Sequence, residues 1–312
     1  MNRTIDEKRT FKIGHGRWVR SALFALALLL GMPSASADDL SRATGYKPTP
    51  WHLLDLLWQL ENDVENFEEL TITVRLMGKT TPQVRLYIAP IGMIRVNDTP
   101  AYGGLQTRAN KFEGHEGKQI IFSRWDERRR DFIRPAPGAT WRSADTEGDF
   151  ISIRQRMEWD EGAYRIVVRR AKESNDDADG TWVEFQACVV KDETCTTAGA
   201  LKFPGRTLKL RKQIWTFVEI YGPAIDPETI PHVFMTFGEV KINGKPAKLD
   251  EIVAIFPTRV PQYIDAFSPL PGVVEIELGK RFDHTHLPIY RQVTRRSVLY
   301  KKHPAPADAR PN

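Results

Sequence analysis

Apolar and polar residues alternate along much of the chain, most clearly between residues 70 and 76. Aliphatic and polar side chains follow one another there in the order Leu70, Thr71, Ile72, Thr73, Val74, Arg75 and Leu76. An alternation of period two predicts a β-strand with one buried face. Comparable segments, separated by turns rich in Gly, Pro, Asn and Asp, lie at residues 84–88, 118–124, 150–156, 164–170, 182–190, 213–221, 232–242, 252–256 and 273–278. This many short strands predict an all-β fold, either a sandwich or a jelly roll.

The segment 51–60 departs from this alternation because it is apolar on most sides. Thr49 and Pro50 precede it, and they are typical of a helix N-cap followed by proline at the first helical position. We therefore expect one short N-terminal helix that lies against the sandwich. A bent strand is the alternative interpretation of the same residues.

The first 37 residues have the order of a secretory signal peptide. Six basic and two acidic residues are followed by an apolar run at residues 21–32, by Pro33 and by the small residues Ala35-Ser36-Ala37. This order predicts cleavage after Ala37 and a periplasmic or secreted protein. The apolar run is shorter than the roughly 20 residues of a membrane span. The export route stays open, because residues 8–12 resemble a degraded twin-arginine motif.

Removal of the signal segment changes the charge balance. The whole chain has 45 basic and 40 acidic residues, and residues 38–312 hold 39 and 38 of them. This near-neutral balance argues against nucleic-acid binding, and no later segment is apolar enough to span a membrane. We expect a flexible N-terminus at residues 38–48, one β-sandwich domain at residues 49–302 and a disordered tail rich in Pro and Ala at residues 303–312.

Cys188 and Cys195 are the two cysteines of the chain. If Lys191 and Asp192 form the loop of a β-hairpin, the cysteines lie directly opposite each other, at a Cα separation of about 4.5–5.5 Å that a disulfide can bridge. In an oxidising compartment we expect this disulfide to form. Two buried free thiols are the alternative, and a catalytic pair is not indicated because the spacing is not C-x-x-C.

Two sets of short motifs lie in the middle of the chain. The first is Tyr102-Gly103-Gly104-Leu105-Gln106, followed by Lys118-Gln119-Ile120-Ile121-Phe122-Ser123-Arg124-Trp125-Asp126. The second is Trp159, Gly162 and Tyr164, followed by Trp182 and by Phe217-Val218-Glu219-Ile220-Tyr221. This layout, over about residues 60–245, resembles an exported bacterial β-sandwich family that is catalogued only as a domain of unknown function. The resemblance implies a concanavalin-A-like β-sandwich (jelly roll), as in lectins and glucanases, and an association with carbohydrate-binding modules. It implies no particular activity.

Aromatic and planar polar residues on three predicted strands are candidates for sugar binding. Sugar rings stack on Trp and Tyr, and sugar hydroxyls pair with Gln, Arg or carboxylates. Six residues combine these properties on strands that we expect to share a surface: Gln106, Arg108, Trp125, Asp126, Glu219 and Tyr221. The predicted partner is a glycan or cell-envelope polysaccharide. In the alternative arrangement Trp125 and Tyr221 point into the core, because a register error of one residue inverts every side chain.

Catalytic motifs are incomplete. The alternating E-x-D-x-x-E carboxylates of glucanases occur on no predicted strand, although a pair from separate strands, such as Glu184 and Glu219, would suit a glycosidase. We therefore predict an exported module that is glycan-binding or structural. The alternative is a glycan-cleaving enzyme, a hydrolase or a lyase, on the same fold.

One motif is compatible with a metal ion. Asn175, Asp177 and Asp179 precede Gly180 and match the first half of a calcium loop, but Gln186 stands where the bidentate Glu would be. A solvated acidic hairpin loop is the alternative, and no other cofactor is indicated. The residues Asp283-His284-Thr285-His286 form a second polar cluster, which we expect to be a surface loop because no third, distant ligand can be named.

Overall fold

The described part of the chain consists almost entirely of strands. The computed structural model describes residues 51–81, 83–108, 117–145, 148–172, 180–222, 225–290 and 294–302. Its strands are β1 (Trp51–Leu60), β2 (Glu69–Met77), β3 (Leu86–Val96), β4 (Thr99–Gln106), β5 (Gln119–Trp125), β6 (Ile133–Pro135), β7 (Thr140–Asp145), β8 (Gly148–Arg156), β9 (Gly162–Arg170), β10 (Thr181–Val189), β11 (Cys195–Phe203), β12 (Gln213–Ile220), β13 (Val233–Ile242), β14 (Lys245–Pro246), β15 (Leu249–Pro257), β16 (Ile264–Leu270), β17 (Val273–Leu278), β18 (Ile289–Tyr290) and β19 (Thr294–Lys301). Two single-turn 3-10 helices lie at Arg130–Phe132 and Pro227–Thr229.

Several predicted segments fall outside these described residues. They are the signal segment, the flexible start, the C-terminal tail and the proposed calcium ligands Asn175, Asp177 and Asp179. The prediction of a calcium loop therefore stays a prediction. Within the described ranges, no helix has the length and apolar character needed to cross a membrane.

The strands pair in two large antiparallel sheets, as the alternating pattern predicts. The ten-stranded sheet has the order β18-β19-β15-β1-β12-β3-β4-β5-β8-β7. The second sheet has the order β16-β17-β13-β2-β9-β10-β11-β6, and β14 pairs with β13 outside that order. Neighbouring strands such as β1 and β12 are far apart in the sequence, so long-range pairing holds the fold together.

The inner faces of the two sheets share one hydrophobic core. Aliphatic residues of β2, such as Ile72 and Val74, contribute from one sheet, and Trp58 of β1 contributes from the other. Phe122 of β5 stacks on Phe185 of β10 with ring centroids 5.2 Å apart. These contacts between sheets confirm the predicted β-sandwich architecture.

The expected N-terminal helix is wrong for residues 51–60, which form the strand β1 (Trp51–Leu60). This strand pairs with β12 on one side and with β15 on the other. Leu54, Leu56 and Trp58 enter the core from it. A strand with hydrogen-bonded neighbours on both sides satisfies its backbone through tertiary pairing, and this overrides the local helix signal.

The predicted cysteine hairpin is confirmed. Cys188 and Cys195 are direct partners in the β10–β11 ladder and form a disulfide. The register is the one expected, although the residues between the two strands number five, 190–194, instead of two. The backbone N–H of Val189 donates to the carbonyl of Thr194 at 2.9 Å and closes the loop.

We predict that Cys188→Ser/Cys195→Ser lowers the free energy of unfolding by about 2 kcal/mol, because the disulfide restricts a short loop of the unfolded chain. Urea denaturation of the variant and the parent protein measures this difference. Treatment of the parent with a reductant should give the same loss, and a midpoint that stays unchanged after reduction would contradict the prediction.

Candidate functional site

The outer face of the ten-stranded sheet carries a second, smaller hydrophobic cluster. Side chains alternate along each strand, so the residues between core positions point to the opposite face. On β3, β4, β5 and β12 they form what we call the outer-face cluster, which consists of Tyr87, Ala89, Tyr102, Ile121, Phe217 and Tyr221. It is separate from the main core, and aromatic rings provide most of its surface.

Strand register aligns polar side chains across this face. The direct cross-strand partners run from His52 through Glu219, Tyr87, Gln106 and Gln119. We call these five residues the polar row. Side chains of direct partners are close enough to interact, and Gln119 Nε2 donates to Gln106 Oε1 at 2.7 Å. The amides, phenol and carboxylate of four adjacent strands therefore lie side by side.

The floor beside the polar row includes two small residues, Ala89 and Gly104. Phe217 pairs with Ala89, and Gly104 pairs with Ile121. A Cβ atom on Gly104 would lie 2.3 Å from the carbonyl oxygen of Ile88 and 2.6 Å from the Cα of Ala89, so a side chain does not fit there. Because Gly104 has no side chain, nothing projects from this position beside the rings of Tyr87 and Tyr102. The centroids of these two rings are 6.2 Å apart.

A second set of polar groups lies beyond this floor. Tyr102, Ser123 and Ser152 are direct partners on β4, β5 and β8. The guanidinium of Arg154 donates to Ser152 Oγ at 2.8 Å. Ser123, Ser152 and Arg154 are all buried, which is unusual for the outer face of an antiparallel sheet because that face is ordinarily solvated.

Two buried hydroxyl groups in this region lack a hydrogen-bond partner among the described residues. They are Tyr87 Oη, on a side chain that is 4% exposed, and Ser123 Oγ, on a side chain that is fully buried. A buried polar group without a partner costs about 1–3 kcal/mol. Burial raises the pKa of Tyr87 well above its usual value, and Tyr102 and Glu219 add to this effect. The phenol is therefore protonated at neutral pH and available as a donor.

A β-bulge positions the polar groups at one end of the row. The pairing of β1 with β12 shifts between His52 and Leu54, so His52 and Asp55 share a face although they are three residues apart. His52 Nε2 lies 2.7 Å from Asp55 Oδ1, and its ring contacts Phe217 at 5.0 Å. Burial favours the neutral imidazole, but Asp55 and Glu219 outweigh it and raise the pKa of His52 to about 9.

Four of the six predicted binding residues lie on this face. Gln106 and Glu219 belong to the polar row, and Tyr221 belongs to the outer-face cluster. The ring of Trp125 contacts Tyr102 at 6.2 Å. Trp125 and Tyr221 therefore point away from the main core, and the alternative arrangement does not apply.

The other two predicted residues lie at the margins. Arg108 follows the end of β4, and its backbone carbonyl accepts a hydrogen bond from the Tyr221 hydroxyl. Asp126 follows β5 in a left-handed conformation, with a φ of 61°, and is exposed. Its backbone N–H donates to the carbonyl of Asp149 at 2.9 Å, so it ends the strand at the edge of the site.

Tyr87, Ser123, Gln119 and His52 also lie on this face but are absent from the binding residues predicted from the sequence. Gln119 and Ser123 could have been found, because they have the same strand parity as Trp125. Tyr87 could not have been found in this way, since β3 shifts register twice against β4 and a simple alternation does not continue through it. His52 depends on the bulge in β1.

The second polar cluster, at residues 283–286, does lie in a loop, but His284 is buried. Its ring nitrogens contact Gln262 Oε1 at 2.6 Å and Asp265 Oδ1 at 3.2 Å, and its ring lies 4.0 Å from that of Phe256. These contacts hold the loop against β15 and β16. Within the described residues, no group of three or more His, Cys, Asp or Glu side chains could hold a metal ion.

Comparisons with known proteins do not assign this site. No protein-family model matches the chain, and a search of curated proteins finds no match. Its function must therefore be inferred from the geometry of the outer face.

We predict that Trp125→Ala lowers the free energy of unfolding by about 1 kcal/mol, as is typical of a single substitution outside the core. Phe122→Ala, on the inner face of the same strand, should cost about 3–5 kcal/mol because it leaves a core cavity. Urea denaturation compares the two variants. Equal losses would show that Trp125 belongs to the core.

The raised pKa of His52 predicts a pH dependence of stability. A folded-state pKa of about 9, against an ordinary value of 6.5, means that the imidazolium stabilises the fold fully below pH 6.5. This stabilisation is lost as the pH rises through 9. Denaturation at pH 6 and pH 10 should show His52→Gln less stable than the parent at pH 6 and closer to it at pH 10. A difference that is constant with pH would contradict the assignment.

Proposed function

We propose that the protein is an exported β-sandwich module that binds a glycan on the outer face of its ten-stranded sheet. The observation that carries the proposal is the pair of buried hydroxyl groups, Tyr87 Oη and Ser123 Oγ, that lack partners within the described ranges. They lie on either side of the floor formed by Ala89, Gly104 and Ile121. A ligand rich in hydroxyl groups would supply the missing hydrogen bonds once the side chains that cover these two buried atoms move aside.

The chemistry around these two hydroxyls favours a sugar over a purely apolar ligand. Tyr87, Tyr102 and Phe217 offer aromatic surface, and the Gln106 and Gln119 amides each combine a donor group with an acceptor. Binding sites for small ligands commonly pair apolar walls with a few fixed polar groups. The hydrogen bond that Gln119 Nε2 donates to Gln106 Oε1 holds the two amides in place before a ligand arrives.

Three further features support export and a lectin-like role. The signal-peptide pattern at residues 1–37 indicates secretion. The Cys188–Cys195 disulfide is compatible with an oxidising compartment. The resemblance to the exported domain-of-unknown-function family, and through it to concanavalin-A-like proteins, implies a two-sheet antiparallel sandwich, which is the architecture of this chain.

A glycan-cleaving enzyme is the second candidate, and one observation favours it. Asp55 and Glu219 are carboxylates on the same face, the first hydrogen-bonded to His52 and the second its direct partner on β12. Hydrolases of glycosidic bonds use two carboxyl groups that flank the bond they cleave. Release of reducing ends from a bound polysaccharide, abolished in Glu219→Gln, would establish this function in place of simple binding.

The test of the binding function is the removal of single hydroxyl groups. A glycan array identifies bound sugars, and calorimetry measures their affinity for the parent protein and for Tyr87→Phe and Ser123→Ala. We expect each variant to bind about tenfold more weakly, which corresponds to about 1.4 kcal/mol. Neither variant should be less stable than the parent, because the hydroxyl that is removed makes no hydrogen bond within the described residues, and its loss therefore leaves no buried group unsatisfied.

Tyr164→Phe is the matched control. The Tyr164 hydroxyl donates to the backbone carbonyl of Asp160 and accepts from its N–H, at 3.1 and 2.9 Å. Its loss should reduce stability by about 1 kcal/mol and leave binding unchanged. Unaltered affinity in both Tyr87→Phe and Ser123→Ala, or no binding to any glycan, would overturn the proposal.

A further inference from the structure

A groove lies on the same outer face, beyond the outer-face cluster. It has a volume of about 440 Å³ and is lined by Asp63, Met93, Arg95, Asp98, Arg211, Lys212, Gln213 and Trp215. Trp215 and Met93 are direct partners on β12 and β3. Trp215, Phe217 and Glu219 alternate along β12, so their side chains point to the same face of the sheet. The groove at Trp215 and the polar row at Glu219 therefore lie on one face.

Between the two places, the ring of Phe217 packs against residues whose side chains are small or absent. Ala89 is the partner of Phe217. A Cβ atom on Gly92 would lie 2.7 Å from a ring carbon of Phe217 and 2.8 Å from its backbone nitrogen, so only glycine fits beside that ring. The shift in register between Trp215 and Phe217 accommodates this close approach. Ala89, Gly92 and Phe217 thus form a continuous floor from the outer-face cluster to Trp215.

Ion pairs connect the charged side chains at the rim of the groove. Arg211 Nε and Nη2 donate to the two carboxylate oxygens of Asp98 at 2.6 and 2.9 Å, and Arg211 Nη1 donates to Asp63 at 2.7 Å. Arg95 donates to the backbone carbonyl of Asp98 at 3.0 Å. These bonds lower the pKa values of Asp63 and Asp98. The groove therefore combines a Trp and Met floor with fixed charged groups that can accept and donate hydrogen bonds.

We propose that the ligand is a linear glycan chain that runs along β12 and contacts Trp215 with units distant from Tyr87. This inference rests on the proposed binding function and adds the length of the ligand. Tyr221 lies six positions after Trp215, and a strand rises about 3.3 Å per residue, so the face extends for about 20 Å in this direction. Several sugar units fit along such a length, whereas a single sugar would contact one end only.

The experiment measures affinity against chain length. The probes are size-fractionated oligosaccharides of cellulose, xylan, mannan and β-1,3-glucan, from disaccharide to octasaccharide, titrated calorimetrically into the full-length mature protein. We expect affinity to rise with length until the chain covers the groove. Trp215→Ala should lose about tenfold in affinity for the octasaccharide, about 1.4 kcal/mol, and nothing for the disaccharide.

Three variants keep the result interpretable. Trp215→Phe retains an aromatic ring and should restore much of the affinity lost in Trp215→Ala. Met93→Ala, which shortens an exposed side chain on the groove floor, should reproduce the selective loss for long chains. Met77→Ala, an equally simple truncation of an exposed methionine on the other sheet, should have no effect.

The two proposals fail in different ways. Affinity that depends on Ser123 but is the same for short and long chains, or that is unaffected by Trp215→Ala, would overturn the extended groove and leave the glycan site in place. No binding to any of the four chain types, with Tyr87→Phe and Ser123→Ala indistinguishable from the parent, would overturn both.

Discussion

The register of β3 between β12 and β4 determines which side chains reach the outer face. A shift of one residue would exchange the inner and outer sets of a strand. β3 is irregular on both sides, with register shifts against β12 and against β4. These irregularities let Tyr87 and Ala89 face outward at one end of the strand while Ile91 and Ile94 enter the core farther along. Bulges of this kind commonly re-aim side chains near binding sites.

Burial of polar groups on the outer face is the energetic consequence of this arrangement. Gln106, Gln119, Ser123, Ser152 and Arg154 would be solvated on an ordinary sandwich surface, yet all five are buried here. Hydrogen bonds between side chains offset part of the cost, as between the two glutamines. The remaining cost at Tyr87 and Ser123 is small compared with the stability that the shared core contributes, so the fold can tolerate these two hydroxyls without partners among the described residues.

Sequence periodicity predicted the parts of the structure in which strands are regular. The inner positions of β2 and the outer positions of β5 and β12 follow from alternation alone, and the Cys188–Cys195 pairing follows from hairpin register. Alternation could not predict β1, because its apolar run is explained by neighbours on both sides that are distant in sequence. For the same reason it could not predict that His52 and Asp55 share a face, since a bulge changes the parity between them.

The titratable groups of the polar row bear on the choice between binding and catalysis. General acid–base catalysis works best when a pKa lies near the operating pH. The pKa of Tyr87 is raised well above its usual value by burial. That of His52 is raised to about 9 against the effect of burial, because Asp55 and Glu219 favour the charged form. Both groups are thus held in one protonation state at neutral pH, as donors of hydrogen bonds. Donors that do not change state are suited to recognising hydroxyl and ether oxygens, as the proposed binding function requires.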